Sequence, residues 1–300
     1  MSMLRVIVPV LVLIVVWHLA GGAEVFGRLR NLDWIWLALA LFTLTLQTIL
    51  SAIRWQLVAR ALGIALARER AIGEYFIAQL VNQTVPGGVV GDAARAVRGR
   101  HAAGLSKSAQ AVIIERLAGQ IALFSVLVFG LMFSLLWGSL GWPTSAEASF
   151  VMALLTAGLV VLLLAAAAVT ITHLRAFLQA AARALWAPES RVRQLVLSLA
   201  IVVCNLSAFA FSARATGTIL SLEAIAVLVP LVLAAMLIPV SVAGWGFREG
   251  AAAALFPIAG ATAAAGMSAG LAFGASMLVA SLPGAIFICA EPKPIGTSGS

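Results

Sequence analysis

Of the 300 residues, 63% are hydrophobic and only 10% charged, far below the roughly 25% charge of soluble domains, so a soluble globular fold is excluded. Apolar runs of the roughly 17–25 residues a helix needs to cross a bilayer recur along the chain, and nothing alternates as outer-membrane strands do. The formal net charge of +8 sits in short clusters beside those runs, a pattern that sets membrane topology and gives no reason to invoke nucleic acid.

The first span runs from about Leu4 to Ala20 behind Arg5. Its "HLAGGA" offers small residues for cleavage, but Trp17 and His18 favour a retained signal-anchor. The second, about Trp34–Ile53, is entered through "DWIW", whose tryptophans suit an interface. Arg54, Arg60, Arg68 and Arg70 follow and read mainly as a topology and anionic-lipid signal, with Trp55 as an interfacial anchor. "YFIAQLV" then starts like a crossing but stops too soon, broken by "NQTVPGGVVGDAARAVRGR". Arg98, Arg100 and Lys107 precede a long span, about Ala109–Trp137.

The loop "GSLGWPTSAEAS" has no Lys or Arg. A span at about Phe150–Thr172 leads to a basic stretch with Arg175, Arg183, Arg191 and Arg193. Another span covers about Gln194–Ser212, and Leu222–Ile238 runs into "PVSVAGWGFRE" and the short "GAAAALFPIAG". A final span covers about Thr262–Ala290, and residues 291–300 read as a tail or an appended linker.

Basic clusters belong on the cytoplasmic side and the Lys/Arg-free loop outside. Clusters of one sign then flank both sides of the Pro-Gly-Gly break, so that stretch enters and leaves from the cytoplasm as a re-entrant hairpin. Leu222–Ile238 with Gly250–Ala259 makes a second hairpin, entered from outside. The two breaks, "PGGVVGDAAR" and "PVSVAGWGFRE", each hold a Pro, a Gly-containing turn and a helix start with acid and Arg. The expected fold is an all-α polytopic membrane protein of about six full transmembrane helices plus two re-entrant helical hairpins. These form an inverted repeat within one domain, 1–290, with halves of about 1–140 and 141–290. Both termini fall in the cytoplasm of a bacterial inner membrane. Paired Gly/Pro-broken segments point to a transport site near the midplane, where the two hairpin tips are expected to meet.

The half-helix after Gly91 places Asp92 at an N-cap position. It either caps itself or, with Gly87, Gly88 and Gly91 letting the backbone come close, offers N–H groups to a phosphate. Arg95 lies three residues on, in salt-bridge reach of Asp92. Arg248 and Glu249, beside Gly244 and Gly246, repeat the pattern. Glu115 and Arg116 are neighbours that cannot face each other on a helix, so each needs a partner elsewhere or snorkels to the interface. Ionisable groups at such depth mark sites. Asn82 and Gln83 serve either the backbone groups freed by the turn or a substrate. Cys204 and Cys289 read as packing residues, and His18, His101 and His173 are too scattered for a metal. No phosphate-binding loop, nucleophile elbow or paired-carboxylate arrangement occurs, so neither an enzyme nor a cofactor is expected.

"RWQLVARALG", the Asn before "PGGVVGDAARA", "ERLAG" and "IPVSVAGWGFREG" together resemble the lysylphosphatidylglycerol synthase transmembrane region, or flippase-like domain, family over about residues 1–290. The positions matching its motifs are Arg54, Asn82, Pro86, Gly87, Gly88, Gly91, Asp92, Arg95, Glu115, Arg116, Pro239, Gly244, Gly246, Arg248 and Glu249. The soluble acyltransferase-like domain of the aminoacyl-lipid synthases is not among these 300 residues. The resemblance therefore implies lipid translocation without synthesis. The expected function is a flippase or lipid-handling transporter moving a polar or anionic lipid headgroup between leaflets. A non-transporting scaffold for lipid-modifying or glycosyltransferase enzymes is the alternative. Membrane lipid is the expected partner, with enzymes of lipid or envelope synthesis as protein partners and no nucleic acid.

Overall fold

A segment in hydrocarbon has no water to satisfy its backbone, so apolar runs of this kind become helices. The computed structural model describes residues 4–100, 104–137, 140–141, 174–186, 190–237 and 242–290, and every regular element among them is helical. In chain order these are α1 (Leu4–Leu19), α2 (Gly22–Arg30), α3 (Trp34–Ala61), α4 (Arg68–Thr84), α5 (Val90–Arg98), α6 (Leu105–Trp137), α7 (Leu174–Trp186), α8 (Arg191–Ala215), α9 (Leu222–Ala235), α10 (Phe247–Leu255), a 3₁₀ turn (Phe256–Ala259), α11 (Ala263–Ser281) and α12 (Pro283–Ala290).

Four stretches are long and apolar enough to cross a membrane: α3, α6, α8 and Ala263–Cys289 through α11 and α12. The chain is an integral membrane protein. The first expected span departs from a plain crossing. Gly21, at φ 80°, breaks it, and α2 leaves α1 at 95°. The polar side of α2 then binds other helix ends. Arg28 donates to the Thr216 carbonyl and Thr218 Oγ1 at 3.2 and 3.1 Å, and Thr262 Oγ1 donates to Glu24 at 3.0 Å. The expected span Phe150–Thr172, most of the Lys/Arg-free loop, and His101, His173 and Pro239 lie outside the described residues.

Burial is distributed as lipid demands. Phe129, Met132, Phe133, Leu135 and Leu136 of α6 are exposed, while Arg54, Arg95, Glu115, Arg248 and Glu249 are buried. Between helices, small side chains replace the hydrophobic driving force that lipid removes. Gly266, Gly270 and Gly274 on α11 line up against α10. A Cβ at Gly266 would stand 2.2 Å from the Ala252 carbonyl oxygen, and one at Gly270 3.2 Å from Glu249 Cα.

The broken segments fold as antiparallel pairs. Asn82, late in α4, reaches Gly91 at the start of α5 (2.8 Å), and Glu74, earlier in α4, binds Arg98 at the end of α5 (2.8 Å). The first arm is longer than "YFIAQLV": α4 begins at Arg68, so the charged "RER" belongs to it. In the second pair, Glu223 at the start of α9 accepts the Leu140 N–H at 3.4 Å, and the Gly141 N–H donates to the Ile258 carbonyl just past α10 at 3.0 Å. Helix α3 orders the two ends of the bundle. Its start binds Ala215 through the Asp33 N–H at 3.0 Å, on the side where α9 begins, and its end leads into α4.

Candidate functional site

Where α3, α4, α5 and α6 cross, three helices bring their charges together and α4 adds Tyr75 and Asn82. Arg54 Nη2 lies 2.7 Å from Glu115 Oε1 and also donates to the Glu115 carbonyl at 3.2 Å, while its Nη1 donates to Ser198 at 3.2 Å. Gly119, one turn beyond Glu115, makes room for this guanidinium: a Cβ there would stand 2.9 Å from Arg54 Nη2. Tyr75 donates to Glu115 Oε1 at 3.3 Å, and Glu115 Oε2 takes Arg95 Nη2 at 3.4 Å. Arg95 also pairs with Asp92 at 2.9 Å, and Arg116 binds the other Asp92 oxygen. Trp55 and Tyr75 sandwich Arg95, with both ring centroids 4.4 Å from its guanidinium carbon, a favourable place for a desolvated cation. Three arginines thus meet two carboxylates, leaving one net positive charge. Removing charges from water is costly, and only such shared pairing offsets it.

The start of α5 differs from the expectation. Asp92 is its third residue, not its N-cap; Val89 holds that position and offers no side-chain cap. The cap comes from the other arm. Asn82 Oδ1 accepts the Gly91 N–H at 2.8 Å, and Asn82 Nδ2 donates to Asp92 at 3.2 Å. Asp92 is thereby free to bind Arg95 and Arg116. Asn82 serves the backbone freed by the turn, one of its two expected roles. Pro86, Gly87 and Gly88 form the turn, with Gly88 at φ 62°. Asn82→Ala is expected to lower stability by about 1–2 kcal/mol, the usual cost of a lost cap, in detergent thermal unfolding. Asn82→Asp is expected to lose more, since it sets a carboxylate against Asp92.

Three further residues sit deeper than expected. Trp55, read as an interfacial anchor, is 5% exposed and stacks on Arg95. Arg54, read as the start of a topology cluster, is 3% exposed because α3 continues to Ala61. Glu115 is fully buried and does not snorkel; Arg116 does keep 42% of its side chain exposed while reaching Asp92. Cys204 is buried but Cys289 is exposed, so only the first fills a core position.

The second broken segment carries its own charged group. Arg248 Nε donates to Glu249 Oε1 at 3.0 Å, and Glu249 Oε2 accepts the Gly246 N–H at 2.6 Å, holding the first turn of α10. Trp245 and Phe273 cover the guanidinium at 4.8 and 5.8 Å. Gly244 and Gly246 turn the chain at φ 80° and 84°, and Gly274 leaves the space that Arg248 fills. The two groups do not merge. Helix α11 packs on α10 and on α4, so it touches both broken segments. Among the described residues, no three His, Cys, Asp or Glu gather where they could hold a metal ion. Tyr75, Ser198 and Gly119 were not foreseen. Only Gly119 left a signal, lying four residues after Glu115 in "ERLAG".

The family model described as Lysylphosphatidylglycerol synthase TM region matches residues 3–284. The chain belongs to this family. No curated protein and no solved structure matches it. Membership of the Lysylphosphatidylglycerol synthase TM region family points to a lipid-related membrane function for the chain.

Proposed function

We propose that this protein moves a polar or anionic lipid headgroup between the leaflets of a bacterial inner membrane, and that it is not an enzyme. The observation that carries the proposal is the pair of broken helical segments at opposite ends of the bundle, each with a buried arginine–carboxylate group. Six crossings and two re-entrant hairpins in an inverted repeat account for that pairing, as in transporters built from broken helices. In this arrangement the first hairpin and both termini face the cytoplasm, following the basic clusters.

The charged groups suit a headgroup that must shed water. An entering phosphate displaces a carboxylate from one arginine, and when it leaves the internal pair re-forms. No guanidinium is then stranded, which would be costly at this depth. Acyl chains remain in lipid beside the exposed apolar faces. Vesicles holding only the purified chain test this. An external reductant is expected to bleach acyl-labelled phosphatidylglycerol in both leaflets, well beyond the outer half reached in protein-free vesicles. The exposed Arg68 and Arg70 favour a second reading, a scaffold that recruits lipid-modifying or glycosyltransferase enzymes through its basic face. It predicts an inner leaflet that stays protected, together with co-purifying enzymes.

A further inference from the structure

A cavity of about 200 Å³ lies between α3, α4, α5 and α6 at the end of the bundle where α4 begins, lined among others by Trp55, Arg70, Glu74, Arg95, Arg98 and Ser108. Its wall is rich in hydrogen-bond donors with nothing to bind. Arg95 Nε and Nη1, Trp55 Nε1 and Ser108 Oγ are all buried without a hydrogen-bond partner, on residues only 1%, 5% and 4% exposed. Guanidinium and indole N–H groups only donate, and buried donors normally have acceptors. The charges lean the same way. Among the lining side chains Arg70, Arg95 and Arg98 outnumber Glu74, which is bonded to Arg98 at 2.8 Å, while Arg95 turns only its Nη2 to Asp92 and Glu115. Arg70 is exposed at the mouth, so the cavity is open toward the basic end.

We infer that this cavity is an oxyanion site that takes a phosphate group, either of a lipid headgroup or free. Arg95 supplies charged donors at Nε and Nη1, Trp55 Nε1 and Ser108 Oγ supply two neutral donors, and Arg70 draws the anion in from solvent. A tetrahedral phosphate has enough acceptor oxygens for all of them, and charge-assisted bonds to guanidinium are the strong kind. The excess positive charge disfavours a cationic headgroup there. The site deepens the transport reading by naming the group it grips, but its test does not depend on transfer.

The full chain in an uncharged detergent is titrated calorimetrically with inorganic phosphate, short-chain phosphatidic acid and short-chain diacylglycerol. Saturable binding of phosphatidic acid, and none of diacylglycerol, is expected. Binding of inorganic phosphate as well identifies an oxyanion site open to free anion; binding of phosphatidic acid alone identifies a lipid phosphate site. Trp55→Phe keeps a ring over Arg95 but removes the N–H, and Ser108→Ala removes only a hydroxyl. Each is expected to weaken binding about tenfold with little change in thermal unfolding. The inference is overturned if neither phosphate probe binds, or if both variants bind as tightly as the parent. Binding without lipid transfer in vesicles would leave this site standing and remove the transport reading; transfer without binding would do the reverse.

Discussion

Glu115→Gln is expected to destabilise the helix bundle by about 3–5 kcal/mol, the range for removing one partner of a buried ion pair. The carboxylate is fully buried and takes Arg54 at 2.7 Å, Arg95 at 3.4 Å and the Tyr75 hydroxyl at 3.3 Å. Glutamine matches its size but brings two N–H donors to a place already crowded with donors. Arg54 would keep the Glu115 backbone carbonyl and Ser198, and Arg95 would keep Asp92, yet neither would keep a full countercharge here. Replacing both Arg54 and Glu115 with Leu should cost less than Glu115→Gln alone, because no charge is stranded on the α3 side. Unfolding in detergent micelles checks both. A Glu115→Gln chain as stable as the parent would show that the network contributes little.

Gly91→Ala is expected to cost about 3 kcal/mol, combining overpacking with a lost hydrogen bond. A Cβ at this position would stand 2.1 Å from the Ala78 carbonyl oxygen and 2.8 Å from its carbon. Both sides of that contact are backbone, so no side chain can rotate away. Helices α4 and α5 must separate, pulling the Gly91 N–H off Asn82 and moving Asp92 from its arginines. Gly88→Ala is the control. Its φ of 62° strains an alanine, but nothing lies within 4 Å of the added carbon, so about 1 kcal/mol is expected. Unfolding midpoints of the two variants check the pair, and a greater loss at Gly88 would contradict the close packing of the arms.

The helices were legible because length and hydropathy decide them when lipid is the solvent. The first broken pair was legible from charge, since basic clusters on both sides of "NQTVPGGVVGDAAR" place its ends together. Asp92 and Arg95 were legible as a pair from their three-residue spacing. The cap was not: Asn82 lies nine residues before Gly91, and spacing along the chain cannot say which side chain reaches an N–H first. Arg54 and Trp55 misled because basic neighbours follow them. Seven residues of α3 lie beyond Arg54, about 10 Å of helix, and they carry it inward. The glycines at 266, 270 and 274 repeat every four residues, a visible sign of a close helix contact, yet which helix they would meet is a matter of lateral order. That order also decides that α11 packs on both α10 and α4, and no local pattern encodes it.

The claim at the centre of this account is that the buried arginines serve an anionic headgroup in transit. The most direct measurement compares transfer of acyl-labelled phosphatidylglycerol and of its cationic lysyl ester in sealed vesicles containing only the purified chain. Transfer of the anionic lipid well above the protein-free rate, and faster than that of the cationic one, is the result expected. Anionic transfer no faster than in protein-free vesicles, or a preference for the cationic lipid, would contradict it.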